Sequence, residues 1–287
     1  MKKLYLVSTK SSNFNENFLE VLKKYADGEI ILTKNENSIY DISSNFKKIN
    51  NNGIIYIAGG DGALNECLNA IYPSNCKIGI IPIGNGNDYA RCFYKYFDIQ
   101  EIIKKTQNPE FKKVDIMKVN NSYCLNISSF GLETKVLIES FKFKEKHPKN
   151  VNLSFFYGAF KSIFKNFNME SKIYVDDDFL GNFNITSIIA GNGSSIGGGF
   201  KALINSNSSD GVGDFLIAKN SGALKNIIMY IKVFLGKQLS DKNIIYGNFN
   251  KLKISFESEQ FGNIDGELVN YKEIKMEIIK NALEIAL

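Results

Sequence analysis

Short apolar runs alternate with amphipathic stretches over the first hundred or so residues of the chain. The runs are rich in β-branched and aromatic residues, as buried strands are. The stretches between them place apolar residues three or four positions apart, as a half-buried helix requires. The predicted strands cover residues 3–8, 29–33, 53–60 and 77–84, and the predicted helices cover residues 15–26, 37–49 and 63–72. This order predicts an α/β domain with a doubly wound parallel sheet.

After residue 112 the pattern changes to longer runs of alternating apolar and polar positions with turn signals between them. KIYVDDDFLGNFNITSIIAGNG and NKLKISFESEQFGNIDGELV have the pattern of antiparallel hairpins. A helical segment from Val151 to Phe167 interrupts them, and the final EIKMEIIKNALEIAL is interpreted as a closing strand that returns to the first domain. We therefore predict an α/β domain over residues 1–112, completed by 273–287, and a mainly β domain over 113–272.

The composition is that of an ordinary globular protein, with 44% hydrophobic and 23% charged residues. A chain of 287 residues fits two modest domains better than one hydrophobic core. The formal charge of +5 is too small to indicate nucleic acid binding. It is compatible with an anionic nucleotide or an anionic membrane surface and requires neither.

The cysteines and the most apolar segment bear on the cellular compartment. The four cysteines have no CxxC spacing, so we interpret them as reduced thiols of a cytosolic protein. The apolar stretch after Met1 is too short for a signal peptide. The segment from Gly222 to Lys237 contains Lys225 and Lys232, each of which would cost about 2.5–3.5 kcal/mol at the centre of a bilayer. We expect a cytoplasmic protein that does not span a membrane.

A glycine-rich loop follows the third predicted strand and leads directly into a helix. It reads Gly59-Gly60-Asp61-Gly62. Backbone without Cβ atoms can approach phosphate oxygens closely, and the N–H groups and dipole of a helix beginning near Ala63 favour an anion. Asp61 would repel a bare phosphate, but it fits a site in which Mg²⁺ lies between them or in which it handles a proton of the acceptor. The alternative is a glycine-rich turn with an aspartate helix cap.

A second glycine turn follows the next strand, in PIGNGNDYAR from residue 82 to 91. The carboxyl ends of neighbouring strands meet at the crevice where open α/β sheets bind ligands, so we expect the two turns to converge there. Asn87 is placed to cap the following helix, and Arg91, one turn on, is placed to bind Asp88 or a phosphate. Together the two loops predict a nucleotide site more strongly than either does alone.

These motifs resemble those of the diacylglycerol kinase catalytic-domain family, in particular the soluble bacterial lipid kinases, which are similar to sphingosine and ceramide kinases. GGDGALNECLNAI is similar to the family's GGDGTxNEVxNGL, and IGIIPIGNGNDYAR is similar to LGIIPLGTGNDFAR. NISSFGLETKV and GNGSSIGGGFKALINSNSSDGVGDFLIA also resemble family segments, and the DGE sequence of residues 265–267 completes the set. The resemblance covers nearly the whole chain in the family's order.

The resemblance implies a phosphofructokinase-like nucleotide domain and a β-sandwich-like domain for the lipid acceptor, with the active site in the cleft between them and with ATP and Mg²⁺ as cofactors. The residues implied to contact the nucleotide are Thr9, Thr33, Gly59, Gly60, Asp61, Gly62, Ala63, Leu64, Asn65, Asn85, Asn87, Asp88 and Arg91. TKSSN, from residue 9 to 13, stands where the family has NPxSG. Ala63 and Asn85 stand where the family has threonine, and each exchange removes a hydroxyl group.

The resemblance also implies catalytic and metal-binding residues. Glu267 matches the carboxylate regarded as the proton acceptor, and Asp61 resembles the residue that organises Mg²⁺ and the acceptor hydroxyl. Because an unperturbed carboxylate is a poor base toward an alcohol, this role means positioning and late capture of the proton. The DGE sequence can also be interpreted as a simple hairpin turn. Asp210 resembles a ligand of a structural Mg²⁺ that the carbonyl groups of Gly213 and Phe215 would complete.

We therefore expect an ATP-dependent kinase of diacylglycerol or a similar lipid alcohol, in peripheral contact with the inner face of the membrane. The segment that either contacts anionic headgroups or forms a solvated face contains Lys142, Lys144, Lys146, Lys149, Phe155, Phe156 and Phe160. Two other functions stay open: an NAD kinase, which shares a GGDG loop, and a nucleotide-binding regulator without catalysis, suggested by Ala63 and Asn85. The sequence also leaves a homodimer open and predicts no nucleic acid partner.

Overall fold

The computed structural model describes residues 1–35, 37–147, 153–163 and 168–287. Within these residues the chain divides into two compact units. Unit 1 comprises Met1–Ile116, Ser208–Asp210 and Ile279–Leu287, and unit 2 comprises Met117–Asn207 and Gly211–Ile278. The predicted domains, 1–112 with 273–287 and 113–272, differ from these units by a few residues at each boundary and by the segment 208–210.

The strands and helices follow in chain order. The strands are β1 (Lys3–Ser8), β2 (Glu29–Thr33), β3 (Ile54–Gly59), β4 (Lys77–Pro82), β5 (Phe111–Val119), β6 (Ser122–Cys124), β7 (Ile127–Gly131), β8 (Met169–Val175), β9 (Asp178–Gly191), β10 (Ser195–Ile196), β11 (Phe200–Lys201), β12 (Gly213–Lys219), β13 (Ile244–Phe249), β14 (Lys251–Ile264) and β15 (Glu267–Ala286). The helices are α1 (Glu16–Tyr25), α2 (Ser38–Ile49), α3 (Asp61–Ile71), α4 (Ile99–Lys105), α5 (Leu132–Lys146), α6 (Ser154–Ile163) and α7 (Ala223–Phe234).

Unit 1 is built on a parallel sheet in the order β2-β1-β3-β4. The end of β15 adds to β4 in parallel, with Ile285 opposite Ile78, which confirms the predicted closing strand. α1 and α4 pack on one face of the sheet, where Phe18 and Ile103 contact the core. α2 and α3 contact each other. Alternate side chains of each strand point to opposite faces of the sheet, so half of them face away from α1 and α4. The predicted doubly wound α/β unit is confirmed.

Unit 2 is mainly antiparallel β-structure. Its strands follow the order β13-β12-β9-β7-β14-β15, and β8 pairs with both β9 and β14. One large apolar core includes Phe130, Ile254 and Phe256. A smaller core on α7 includes Ile189, Leu216 and Met229, and these positions bury the inner face of that helix. The predicted β-rich second unit is confirmed.

α5 and α6 pack against each other in unit 2. The predicted helical segment 151–167 corresponds to α6 over residues 154–163, and residues 151–152 and 164–167 lie outside the described residues. Glycine at position 158 permits the close approach, because a Cβ there would lie 2.6 Å from the Oγ of Ser140. In the described parts of the chain, none of the helices combines the length and apolarity that crossing a membrane would require.

Candidate active site

The two glycine loops of unit 1 contact each other at the carboxyl ends of β3 and β4. A Cβ built on Gly84 would lie 2.5 Å from the Cα of Gly60 and 2.9 Å from the Oδ1 of Asn87. The N–H groups of Ile83 and Gly84 both donate to the carbonyl oxygen of Gly59, at 3.2 Å. Such an approach of backbone to backbone requires glycine. The loops therefore converge, as the strand order predicts.

Asp61 joins the two loops by hydrogen bonds. As the first residue of α3, it lies where the helix dipole favours a negative charge. Its Oδ2 accepts from the N–H of Asp88 and its Oδ1 from the N–H of Tyr89, both at 2.9 Å. Charge-assisted bonds of this kind contribute about 1.5–3 kcal/mol each. Asp61 thus fixes the second loop on the first, a role that the sequence did not indicate.

Asn87 shapes the second loop but does not cap the following helix, so that prediction was wrong. Its Oδ1 accepts from the N–H of Gly84 at 2.9 Å, and its Nδ2 donates to the carbonyl oxygens of Gly84 at 2.8 Å and Pro82 at 3.4 Å. Its φ of 52° is left-handed, whereas a capping residue has extended backbone. The residues that follow, Tyr89–Cys92, form a short 3₁₀ helix with Asp88 at its start and no side-chain cap.

Arg91 lies beside the second loop. Its Nη2 donates to the carbonyl oxygen of Gly86 at 3.2 Å, and its Nε lies 3.9 Å from the Oδ1 of Asp88. Binding to Asp88 was one of the two roles predicted for Arg91, and binding to a phosphate stays a prediction. Asn85, which stands where the family has threonine, is exposed at the tip of this loop.

Thr9 and Thr33 use their hydroxyl groups on the backbone of neighbouring strands. The Oγ1 of Thr9 donates to the carbonyl oxygen of Thr33 at 3.0 Å, and the Oγ1 of Thr33 donates to that of Val7 at 3.2 Å. Asn13 extends this loop toward the second glycine loop, because its N–H donates to Ile83 at 3.1 Å and its Nδ2 to Gly84 at 3.3 Å. A third loop, residues 9–13, therefore adjoins the glycine loops.

The residues that follow Asp61 in α3 differ in their burial and in their hydrogen bonds. Ala63 is half-buried, and a Cβ on Gly59 would lie 2.8 Å from its Cβ. Leu64 is buried in the core, and its N–H donates to the carbonyl oxygen of Gly60 at 3.2 Å, so neither group faces a ligand. Asn65 is buried and accepts from the Nδ2 of Asn69 at 3.1 Å.

The start of α3 fits a phosphate group. Its N-cap, Gly60, makes no side-chain cap bond, so no side chain of the cap occupies the N–H groups of the first turn. Across the described residues, His, Cys, Asp and Glu side chains form no group of three or more that could hold a metal ion. Asp61 would hold a Mg²⁺ ion together with phosphate oxygens of a nucleotide and water, a ligand set common in phosphoryl-transfer sites.

In unit 2, Asp265 and Gly266 form the two-residue turn between β14 and β15, with Ile264 paired to Glu267. Both turn residues have positive φ, at 49° and 95°, as a type I′ turn requires. The Asp265 carboxylate accepts from the N–H groups of Leu125 at 2.7 Å, Asn126 at 2.9 Å and Ile127 at 3.1 Å. The DGE sequence therefore forms a hairpin turn, and the exposed Glu267 is the first residue of β15.

Asn126 connects this turn with a third segment of unit 2, and the sequence did not indicate it. Its carbonyl oxygen accepts from the N–H groups of Asn192 at 2.9 Å and Gly193 at 3.0 Å, and its Nδ2 donates to Ser195 at 2.9 Å. Loops 124–127, 191–195 and 265–267 therefore form one hydrogen-bonded cluster. The only hint in the sequence was that each of the three segments resembles a family motif.

The remaining predicted residues stay predictions. Asp210 belongs to unit 1, whereas Gly213 and Phe215 belong to β12 of unit 2. In the predicted headgroup-binding segment, Lys142, Lys146 and Phe160 are exposed. The side chains of Lys144, Phe155 and Phe156 and all of Lys149 lie outside the described part of the structure.

Two family profiles match the chain. The profile described as diacylglycerol kinase catalytic domain matches residues 8–119, and the profile described as YegS C-terminal NAD kinase beta sandwich-like domain matches residues 129–287. The chain belongs to the diacylglycerol kinase catalytic-domain family. This membership makes it a lipid kinase, a transferase of phosphoryl groups.

This lipid kinase is 28% identical to the diacylglycerol kinase of Bacillus subtilis (strain 168) over 219 residues, which are 75% of the chain and 71% of the relative. The crystal structure of a diacylglycerol kinase from Bacillus anthracis str. Sterne aligns with a TM-score of 0.74 and 20% identity. The alignment covers 99% of the present chain and 96% of the B. anthracis chain. An NAD kinase from Archaeoglobus fulgidus in complex with ATP aligns with a TM-score of 0.52 and 12% identity over 99% and 92%. At these identities the two solved structures show the fold alone.

Proposed function

We propose that this lipid kinase transfers the γ-phosphoryl group of ATP to the hydroxyl group of diacylglycerol or a similar lipid alcohol, with Mg²⁺ as cofactor. The observation that carries the proposal is the contact between the two glycine loops, which Asp61 holds together beside the uncapped start of α3. Such a surface binds phosphate through backbone N–H groups. The relatives named diacylglycerol kinase support a lipid acceptor.

In this proposal, the residues that bind the nucleotide differ from the residue that takes the proton of the acceptor hydroxyl. Gly59, Gly60 and Gly62 approach the phosphates, with Arg91 and the exposed Asn85 beside them. When bound, the Mg²⁺–nucleotide supplies the phosphoryl group. Glu267 orients the acceptor hydroxyl and takes its proton as the new P–O bond forms and the bond to the leaving phosphate breaks. Asp61 holds the loops in register and ligates the cation.

The activity is tested by incubating the purified chain with Mg²⁺–ATP and a panel of lipid alcohols in mixed micelles. Incorporation of phosphate into diacylglycerol or another lipid on the panel is expected. NAD is included as a soluble acceptor, because an NAD kinase has a related fold. A chain that binds ATP but phosphorylates no lipid would refute the lipid assignment, and phosphorylation of NAD would replace it.

The role of Glu267 is tested with Glu267→Gln, which keeps the size of the side chain and removes its basicity. We expect turnover to fall by at least about a hundredfold, since general base catalysis commonly contributes that much or more. Glu277→Gln is the matched control, because Glu277 is an exposed glutamate of the same strand. Equal turnover in the two variants would remove Glu267 from the mechanism.

The test of Asp61 needs a control variant that separates a catalytic role from a role in holding the loops. Asp176, in the β8–β9 turn, also accepts two backbone N–H groups, from Asn250 and Lys251 at 2.8 Å each. Asp61→Asn and Asp176→Asn should therefore lower the free energy of unfolding by similar amounts, about 1–3 kcal/mol. Only Asp61→Asn should abolish turnover while the chain stays folded. Loss of turnover in both variants would show that lost stability alone explains the effect.

A regulator that binds the nucleotide without catalysis is the second candidate, because Ala63 and the exposed Asn85 lack the hydroxyl groups of the family's threonines. Tight ATP binding without turnover on any acceptor would favour it. In that case Ala63→Thr combined with Asn85→Thr should restore measurable phosphoryl transfer if the missing hydroxyl groups are the cause.

A further inference from the structure

In the part of the chain that the structure describes, the outer face of α7 is apolar and largely exposed. Asn226, Met229 and Val233 bury the inner face of the helix in unit 2. The outer face carries a stripe, spaced as one side of a helix, that continues past the end of α7. Its members are between 48 and 73% exposed: Leu224, Ile228, Ile231, Phe234, Leu235 and Leu239. Contiguous exposed apolar residues of this kind mark an interaction surface.

A positively charged pocket lies beside this apolar stripe. It has a volume of about 320 Å³, and its lining includes Lys225, Lys232 and Lys242 together with Ile228 of the stripe. Asp241 is the one acidic side chain of the lining. Its carboxylate already accepts from the Nζ of Lys232 at 2.8 Å, which lowers the pKa of Asp241. Three ammonium groups against one carboxylate leave a pocket that attracts anions.

We propose that α7 and residues 240–243 form a docking surface for a bilayer that contains anionic phospholipid. The apolar stripe enters the boundary between headgroups and acyl chains, and the lysine pocket takes a headgroup phosphate. A helix with one apolar face and lysines beside it lies in the plane of a membrane, and each lysine near an anionic surface adds to the attraction. The 12 residues of α7 are too few to span the bilayer, so the helix lies along it.

A second copy of the chain fits this surface less well. A two-fold symmetric contact on the stripe would place the same patch of both copies together, with the lysines that flank it. Like charges across an interface oppose association. The proposal concerns binding, and it stands independently of the phosphoryl transfer proposed above.

The test measures binding of the full chain to vesicles of phosphatidylcholine containing about one third phosphatidylglycerol, with pure phosphatidylcholine vesicles as reference. The wild type should bind the anionic vesicles and be released by salt. The triple variant Lys225→Gln, Lys232→Gln, Lys242→Gln should bind at least about tenfold more weakly. The double variant Lys225→Gln, Lys242→Gln keeps the Lys232–Asp241 ion pair and should lose binding as well.

The apolar contribution has its own variant and controls. Ile228→Gln combined with Ile231→Gln should weaken binding at least about tenfold, since two apolar side chains leave the boundary region. The charge control changes Lys23, Lys48 and Lys272 to Gln, and the apolar control is Ile49→Gln, a residue that is 81% exposed in unit 1. Both controls should bind like the wild type.

Three results would overturn the proposal: no binding of the wild type to anionic vesicles, equal binding of all variants, or a change from dimer to monomer in the Ile228/Ile231 variant by light scattering. The last result would assign the stripe to a second copy of the chain. Turnover of a short-chain diacylglycerol in solution is measured in parallel. A variant that loses vesicle binding but retains this turnover separates the docking surface from the catalytic proposal.

Discussion

Some aspartates of this lipid kinase use one carboxylate to hold more than one backbone N–H group. Asp61 binds two, Asp176 binds two and Asp265 binds three, and each of them connects segments far apart in the sequence. A carboxylate that accepts several N–H groups fixes the loop that donates them. Residue type alone cannot separate this role from metal binding or proton transfer, which is why the structural role of Asp61 was not predicted.

Gly84 and Gly60 face each other but should respond differently to alanine. The new methyl group of Gly84→Ala would lie 2.5 Å from the Cα of Gly60, whereas that of Gly60→Ala would lie 3.5 Å from the Cα of Gly84, an ordinary contact. We expect Gly84→Ala to lower the free energy of unfolding by at least about 2 kcal/mol and Gly60→Ala by less than about 1 kcal/mol. Urea unfolding measures both. Similar values for the two variants would contradict the loop contact.

Glu133 in α5 is a half-buried glutamate with an unusual pKa. Burial raises its pKa from its ordinary value to about 7, although the Oγ of Ser187 donates to its Oε2 at 2.5 Å and lowers the pKa somewhat. Tyr230 of α7 lies near it, and burial together with the charge of Glu133 raises the pKa of this tyrosine well above its usual range. Glu133 therefore titrates near neutral pH inside unit 2.

The raised pKa of Glu133 predicts how stability depends on pH. Between the unfolded value, near 4.5, and the folded value, about 7, the folded chain keeps a proton that the unfolded chain has lost. The free energy of unfolding therefore falls as the pH rises through this window. Glu133→Gln should remove about 1–2 kcal/mol of that fall, measured by urea unfolding at pH 5 and pH 8. The exposed Glu277→Gln should leave the fall unchanged, and an identical fall in both variants would refute the prediction.

Among the elements, the strands of unit 1 were the most predictable. β1 and β2 have the predicted bounds because their apolar runs end in turn residues. The starts of helices were less predictable. α3 begins at Asp61, before Ala63, and the predicted cap by Asn87 failed because its side chain binds Pro82 and Gly84. Contacts with another loop decide such positions, and local sequence does not contain them.

The α5–α6 pair predicts an unusual response to alanine at Gly158. Glycine to alanine inside a helix normally stabilises by about 1 kcal/mol. Here the added Cβ would meet the Oγ of Ser140 at 2.6 Å and the carbonyl oxygen of Val136. We expect Gly158→Ala to destabilise the chain by about 1–3 kcal/mol, with faster amide exchange in α5. Phe160→Ala, at an exposed position of the same helix, is the control and should have little effect. A more stable Gly158→Ala chain would disprove the close packing.

At the scale of the whole chain, the sequence predicted two units and the return of the C-terminal strand to the first. Local periodicity was enough for this because both units repeat their own pattern over long stretches. The candidate site was predicted in part. The motifs identified the glycine loops and the DGE turn, but not the cluster around Asn126 or the apolar face of α7. Both features depend on which segments meet and which surfaces remain exposed after folding. An apolar helix has the same sequence pattern whether or not its outer face is covered.

The return of β15 to unit 1 predicts an effect across the length of the sequence. Ile285 is fully buried and pairs with Ile78 of β4, next to β3 in the sheet. Ile285→Ala should lower the free energy of unfolding by about 2–4 kcal/mol, as cavity-forming substitutions in cores do. Hydrogen exchange should then speed up in residues 54–59 and 77–82, some two hundred positions away in sequence. The exposed Lys280→Ala on the same strand should leave both segments protected. Faster exchange confined to residues 267–278 would show that the end of β15 does not support the parallel sheet.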